Sequence, residues 1–92
     1  MSNQIPKFPL GQVVATTRAM FSIPSHEMLK GLARHSQGDW GDVCPEDQAE
    51  NEFSLEKGFR LLSAYHTAQG LKFWIITEGN RSATTILLPD DY

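Results

Sequence analysis

The sequence predicts an α+β domain: an N-terminal strand, two to three helices, then a three-stranded antiparallel meander packed against the helices. Three observations carry this. A β-branched, apolar run follows Gly11. Two stretches with helix start and stop signals lie between residues 17 and 58. From residue 59 onward, short runs rich in aromatic and β-branched residues alternate with turn signals.

The elements follow in order. Residues 1–9 hold two prolines and no clear period, which predicts an extended lead-in. Residues 12–16 make a short strand. Thr17 is placed to cap a brief helical turn that Pro24 ends. Ser25 then caps a longer helix with Met28, Leu29 and Leu32 as its apolar stripe. Lys30, Arg34 and His35 fall toward its C-terminal end, where positive charge is favoured, and Gly38 stops it. A loop over 36–43 leads to Cys44 and Pro45, which suit the opening of a helix. In that helix Ala49 and Phe53 are expected to face inward, and Gly58 is a natural terminator. Strands are predicted over 59–67, 71–77 and 82–88, with turns at 68–70 and 78–81. The expected core is Leu29, Leu32, Phe53, Leu62, Phe73, Ile75, Ile86 and Leu88.

Ninety-two residues make a single domain, 1–92, with no internal repeat or low-complexity tract. At 40% hydrophobic and 21% charged the chain is globular in composition, so one packed core is expected. The apolar run 73–77 is far too short for a bilayer, and no apolar run follows Lys7 as a signal peptide requires. One cysteine, Cys44, cannot form an internal disulfide. The expectation is a cytoplasmic protein with no membrane contact. A net charge of −3 argues against nonspecific nucleic-acid binding. Five of the eleven acids (Glu46, Asp47, Glu50, Glu52 and Glu56) crowd into eleven residues of the second long helix. A solvated helix face is the plain explanation, and an acidic contact surface is the functional one.

Four blocks carry a family resemblance: FPLGQVVAT at 8–16, LARHSQGDWGDV at 32–43, GFRLLSAYH at 58–66 and KFWIITEGNRSATTILLPDDY at 72–92. Together they resemble small bacterial "plasmid-related" proteins of mobile elements, over nearly the whole chain. Members usually have Asp before the arginine, where this chain has Asn80. The resemblance implies a mobile-element context and no particular chemistry. The element order is also loosely similar to RelE-type and barnase-like small ribonucleases, with no shared motif. In those enzymes basic and hydroxyl residues on the C-terminal strands contact RNA.

Candidate site residues fall into groups. Ribonuclease chemistry needs a base near the 2′-hydroxyl and a cation for the phosphorane. Arg34, His35 and Arg81 are the catalytic candidates for it. On a regular helix Arg34 and His35 diverge by about 100°, so helix-end decoration is the competing explanation. Asp39, Trp40, Asp42, Glu78, Arg81 and Ser82 are the binding candidates. Against them stand turn chemistry, an Arg81–Glu78 pair and a core role for Trp40. Loop 38–42 and Arg81 are expected on one surface. His66 and Tyr65 are weaker acid–base candidates at a hairpin end. No phosphate loop, dinucleotide fingerprint or metal-ligand spacing is present, so no cofactor and no metal are expected.

Two function classes remain. One is a noncatalytic accessory protein, such as a defence-system inhibitor, that binds a host or element-encoded protein with its acidic helix in the contact. The other is a metal-independent ribonuclease or toxin-like enzyme, which makes RNA a partner. Few charges lie on 82–88 to discourage strand pairing, so a homodimer or a partner strand is expected at that edge.

Overall fold

The computed structural model describes residues 5–92. The chain runs β1 (Gln12–Ala15), α1 (Thr17–Ser22), α2 (Ser25–Ser36), α3 (Pro45–Lys57), β2 (Leu61–His66), β3 (Lys72–Thr77), β4 (Ala83–Leu87) and a closing 3-10 turn (Pro89–Asp91). The α+β class holds. The four strands lie in the order β1-β4-β3-β2. β2, β3 and β4 form the antiparallel meander, and β1 adds parallel to β4, so the sheet is mixed. β4 is therefore internal. The expectation of an open edge over 82–88 is corrected: β1 covers it, with the Gln12 and Thr16 amides donating to the Ser82 and Ile86 carbonyls.

Local signals explain most boundaries. Thr16, not Thr17, caps α1, its Oγ1 accepting from the Ala19 amide at 3.1 Å. Pro24 stands before α2, so Ser25 is its first residue rather than its cap. α3 starts with Cys44 as cap and Pro45 first, and ends on Gly58 at φ 82°, a left-handed position that glycine takes without a Cβ clash.

Strand alternation divides the sheet into two faces. Leu61, Ser63 and Tyr65 align with Thr77, Ile75 and Phe73, and these with Thr84 and Ile86, on the face that α1 and α2 cover. Ala19, Ile23, Tyr65, Phe73, Ile75, Ile86 and Leu88 form the main core, with Ala15, Met28 and Leu32 against it. Gly31 lets α2 lie close: a Cβ there would stand 3.1 Å from Ile75 Cδ1 and 3.2 Å from Phe73 Cε2. A second cluster joins Phe8, Trp40 and Leu61 with Leu10, Val43 and Leu55. Phe8 lies in the stretch read as a lead-in, yet it is buried, and the Lys7 amide donates to the Ser36 carbonyl at 2.7 Å. The first four residues of that stretch lie outside the described residues.

Half of the expected core is confirmed: Phe73, Ile75, Ile86 and Leu88 are buried. Leu32 and Leu62 are half-buried. Leu29 and Phe53 are corrections, 66% and 48% exposed. α3 is turned about half a revolution from the expected orientation. Its buried residues are Asn51 and Ser54, which puts Ala49 and Phe53 outward.

Phe73→Ala should cost about 3–5 kcal/mol, as a buried aromatic does. Leu29→Ala should stay within about 0.5 kcal/mol for the single chain. Phe53→Ala should cost no more than about 1.5 kcal/mol, the value of an aromatic pair. Urea denaturation measures all three, and a loss at Phe53 as large as that at Phe73 would contradict this placement.

Candidate functional site

His35 sits at the centre of the molecule with no exposed surface. Its Nδ1 lies 2.6 Å from Ser63 Oγ and its Nε2 2.8 Å from Thr77 Oγ1. Thr77 Oγ1 lies 2.7 Å from Thr84 Oγ1, whose hydroxyl donates to the Leu10 carbonyl at 2.7 Å. That last bond fixes the direction of the others. Thr84 spends its proton on Leu10, so Thr77 donates to Thr84. Thr77 must then accept from His35 Nε2–H, which leaves Nδ1 to accept from the Ser63 hydroxyl. Burial, and then the Arg81 charge, lower the imidazole to about 4. His35 is a neutral structural group. As a ribonuclease base it has neither an open nitrogen nor access to a ligand.

Arg34, one residue earlier, points the other way. Its Nε donates to Asp39 Oδ2 at 2.7 Å and its Nη2 to Asp39 Oδ1 at 3.2 Å, a forked pair at the end of α2. The guanidinium also lies 4.6 Å from the centre of the Tyr65 ring. The hydrogen bond raises Arg34 and holds the Asp39 carboxyl below its ordinary value. Beside them Asp42 Oδ2 is 2.7 Å from His66 Nδ1, and both side chains are exposed. Glu27, Lys30, Arg34, Tyr65 and His66 line a narrow cleft of about 40 Å³ there.

Loop 38–42 closes the outer edge of β2. The Ala64 amide donates to the Trp40 carbonyl at 3.0 Å, and the Asp42 amide to the Ala64 carbonyl at 2.7 Å. Gly41 makes this approach feasible: at φ 76° its Cβ would fall on the Ala64 carbonyl oxygen. Trp40 is buried, as the structural explanation held, and its Nε1 donates to Glu52 Oε2 at 2.8 Å. Asn51 does the same work two residues along, its amide group both donating to the Leu62 carbonyl and accepting from the Leu62 amide.

Arg81 belongs to the other end of the sheet. It follows the Leu61–Thr77 end of the β2–β3 ladder, while Asp39 and Asp42 stand at the His66–Lys72 end. At about 3.4 Å per residue the ladder keeps them well over 10 Å apart. The expected common surface for loop 38–42 and Arg81 is therefore corrected. Arg81 and His35 do lie within about 11 Å, since the Phe8 ring is 5.6 Å from the guanidinium and 5.3 Å from the imidazole. Phe8 fills the space between them. Arg81 donates to the carbonyls of Phe59, Glu78 and Ser54 at 2.7, 3.1 and 3.0 Å, so it meets the backbone of Glu78 and not its carboxylate. Its φ of 61° is left-handed. Asn80 Oδ1 accepts from the Ser82 amide at 3.0 Å, which is turn chemistry.

The outer face of α3 is also free to meet a ligand. Ten of its thirteen residues are exposed. Phe53 stacks on Phe59 outside the core, with centroids 5.9 Å apart, amid Glu46, Glu50 and Glu56. Sequence reasoning located the acids but assigned Phe53 to the interior, because nothing local marks Asn51 and Ser54 as the buried pair. It also missed the Asp42–His66 contact, which joins residues 24 apart. Among the described residues no group of three His, Cys, Asp or Glu side chains is placed to hold a metal ion. Nor is any helix long and apolar enough to cross a membrane. No family model matches the chain, and no curated protein or solved structure matches it.

Two outcomes follow. His35 titrates near 6.5 when unfolded and about 4 when folded, so between these pH values only the unfolded chain holds the proton. Stability should be full above about pH 6.5 and fall toward pH 4, by on the order of 3 kcal/mol. His35→Gln should be less stable and lose this slope, as read by denaturation against pH. Arg81→Ala should cost about 1–3 kcal/mol through its unpaired carbonyls. Arg81→Gly should cost less, because it relieves the left-handed backbone. Equal melting temperatures for wild type and Arg81→Ala would contradict the structural role.

Proposed function

We propose that this chain is a noncatalytic binding protein that docks a basic surface of a host or element-encoded protein through the outer face of α3. The observation that carries the reading is Phe53. A large aromatic side chain is left half-exposed and stacked on a second one, within a field of glutamates, on a helix pinned to the sheet by polar residues. Charge steers such a partner and the aromatic pair supplies desolvated contact area. The resemblance to plasmid-related proteins supports a mobile-element setting, in which inhibition of a defence-system protein with a nucleic-acid-binding surface is a role of this type.

A ribonuclease reading keeps one observation. His66 is exposed, Asp42 orients its Nδ1, and Arg34 and Lys30 line the adjoining cleft. That arrangement has the parts of a general base with a neighbouring cation. Arg34, however, is committed to Asp39, so the cation beside His66 is already paired.

Affinity capture from the native host, with RNA retained, separates the two. Phe53→Ala and the double change Glu46→Lys, Glu50→Lys should each weaken capture at least tenfold while remaining folded at the capture temperature, and capture by wild type should weaken with salt. Retained capture by both variants would overturn the α3 reading. RNA cleavage that disappears in His66→Gln would favour the enzyme.

A further inference from the structure

The two edges of the sheet are treated differently. β2 is closed by loop 38–42 and Asn51, whereas among the described residues β1 has β4 on one side only. The amides of Gln12 and Thr16 point toward β4. Alternation turns the amides and carbonyls of Val13 and Ala15 toward the open side. Beside this edge, between β1 and the two short helices, runs an apolar groove of about 580 Å³. Val13, Met20, Met28, Leu29 and Leu32 line it, and Ser25 is the one polar lining residue.

We propose that a second copy of this chain occupies the groove, by antiparallel pairing of β1 with β1 about a twofold axis at Val14. The register follows from the open groups. With the axis at Val14, Val13 of each copy faces Ala15 of the other, and the pairs exchange four hydrogen bonds, which uses each of the four open amides and carbonyls. An axis perpendicular to the sheet keeps both helix layers on the same face. Met20 and Leu29 of the two copies, 63% and 66% exposed alone, then meet above the seam and fill both grooves. A stable dimer takes about 800 Å² from each partner, roughly a seventh of this chain's 5702 Å². Val13, Val14, Met20 and Leu29, all exposed, bring apolar side chains of three elements to that contact.

Charge favours a second copy over a charged peptide. Among the described residues no ionisable side chain lines the groove or lies in β1, so these surfaces set no like charges against each other. The acids of α3 lie beside β2, at the far edge. Across eight strands spaced about 4.8 Å apart, the two α3 helices are separated by several Debye lengths of about 8 Å. The net charge of −3 therefore does not oppose this contact. The inference is independent of what α3 binds, since it uses the opposite edge.

Light scattering with size exclusion on the full chain tests it. Wild type should run at twice 10.3 kDa at micromolar concentration. Val14→Lys and Val14→Glu should each run as folded monomers, because the axis sets residue 14 against itself, with Cα atoms about 4.5 Å apart. Mixed in equal amounts, the two variants should recover the dimer mass. Leu29→Glu, changing an exposed side chain of the groove, should also give a folded monomer. A monomeric wild type at several hundred micromolar, or a dimer insensitive to all three substitutions, would overturn the proposal. Failure of the mixed Lys and Glu variants to associate would refute the twofold at Val14.

Discussion

The fold depends on a neutral imidazole with no solvent contact. His35 reaches from α2 to Ser63 on β2 and Thr77 on β3, and the chain of hydroxyls continues through Thr84 on β4 to the Leu10 carbonyl. Helix, three strands and the N-terminal segment are thus held by one directed line of hydrogen bonds. Each group in the line has a partner, and among the described residues no buried side-chain polar atom is left without one. A buried polar line of this kind specifies one arrangement, because sliding α2 by a single turn would orphan several groups together.

Around that line the two kinds of contact divide the work. Apolar side chains of α1 and α2 cover one sheet face in the usual way. α3 and the loop before it bring only Leu55, Trp40 and Val43 to the smaller cluster, and polar contacts add to these, through Asn51 to Leu62, Trp40 to Glu52 and Arg81 to the Ser54 carbonyl. A helix held by its polar residues is free to turn its aromatic residue outward. The exposed Phe53 therefore follows from how α3 is anchored.

Class, element order and most boundaries were legible because they rest on local chemistry: β-branched runs, Pro45 at a helix start, Gly58 at a helix end, turn residues at 68–70 and 78–81. Partners distant in sequence were not. His35 reads locally as a cation at a helix terminus, and only Ser63 and Thr77, 28 and 42 residues away, make it a core residue. β1 gives no local sign of joining β4, so the open edge was placed on the wrong strand. Phe8, amid prolines and without periodicity, gives no sign of its buried place beside Trp40. The acidic run of α3 was plain, while its facing was not, because a polar residue, Asn51, is buried for the hydrogen bonds its side chain makes to Leu62.

The sealing of β2 also decides how an association through the sheet can end. A strand edge left open on both sides of a molecule lets copies add without limit, which is the geometry of fibres. Here the loop bridging Gly41 to Ala64 and the side chain of Asn51 occupy one side. A contact through β1 consumes the other side on both molecules at once. With β1 paired to β1, strand addition would stop at a closed pair, leaving no edge from which a filament could grow.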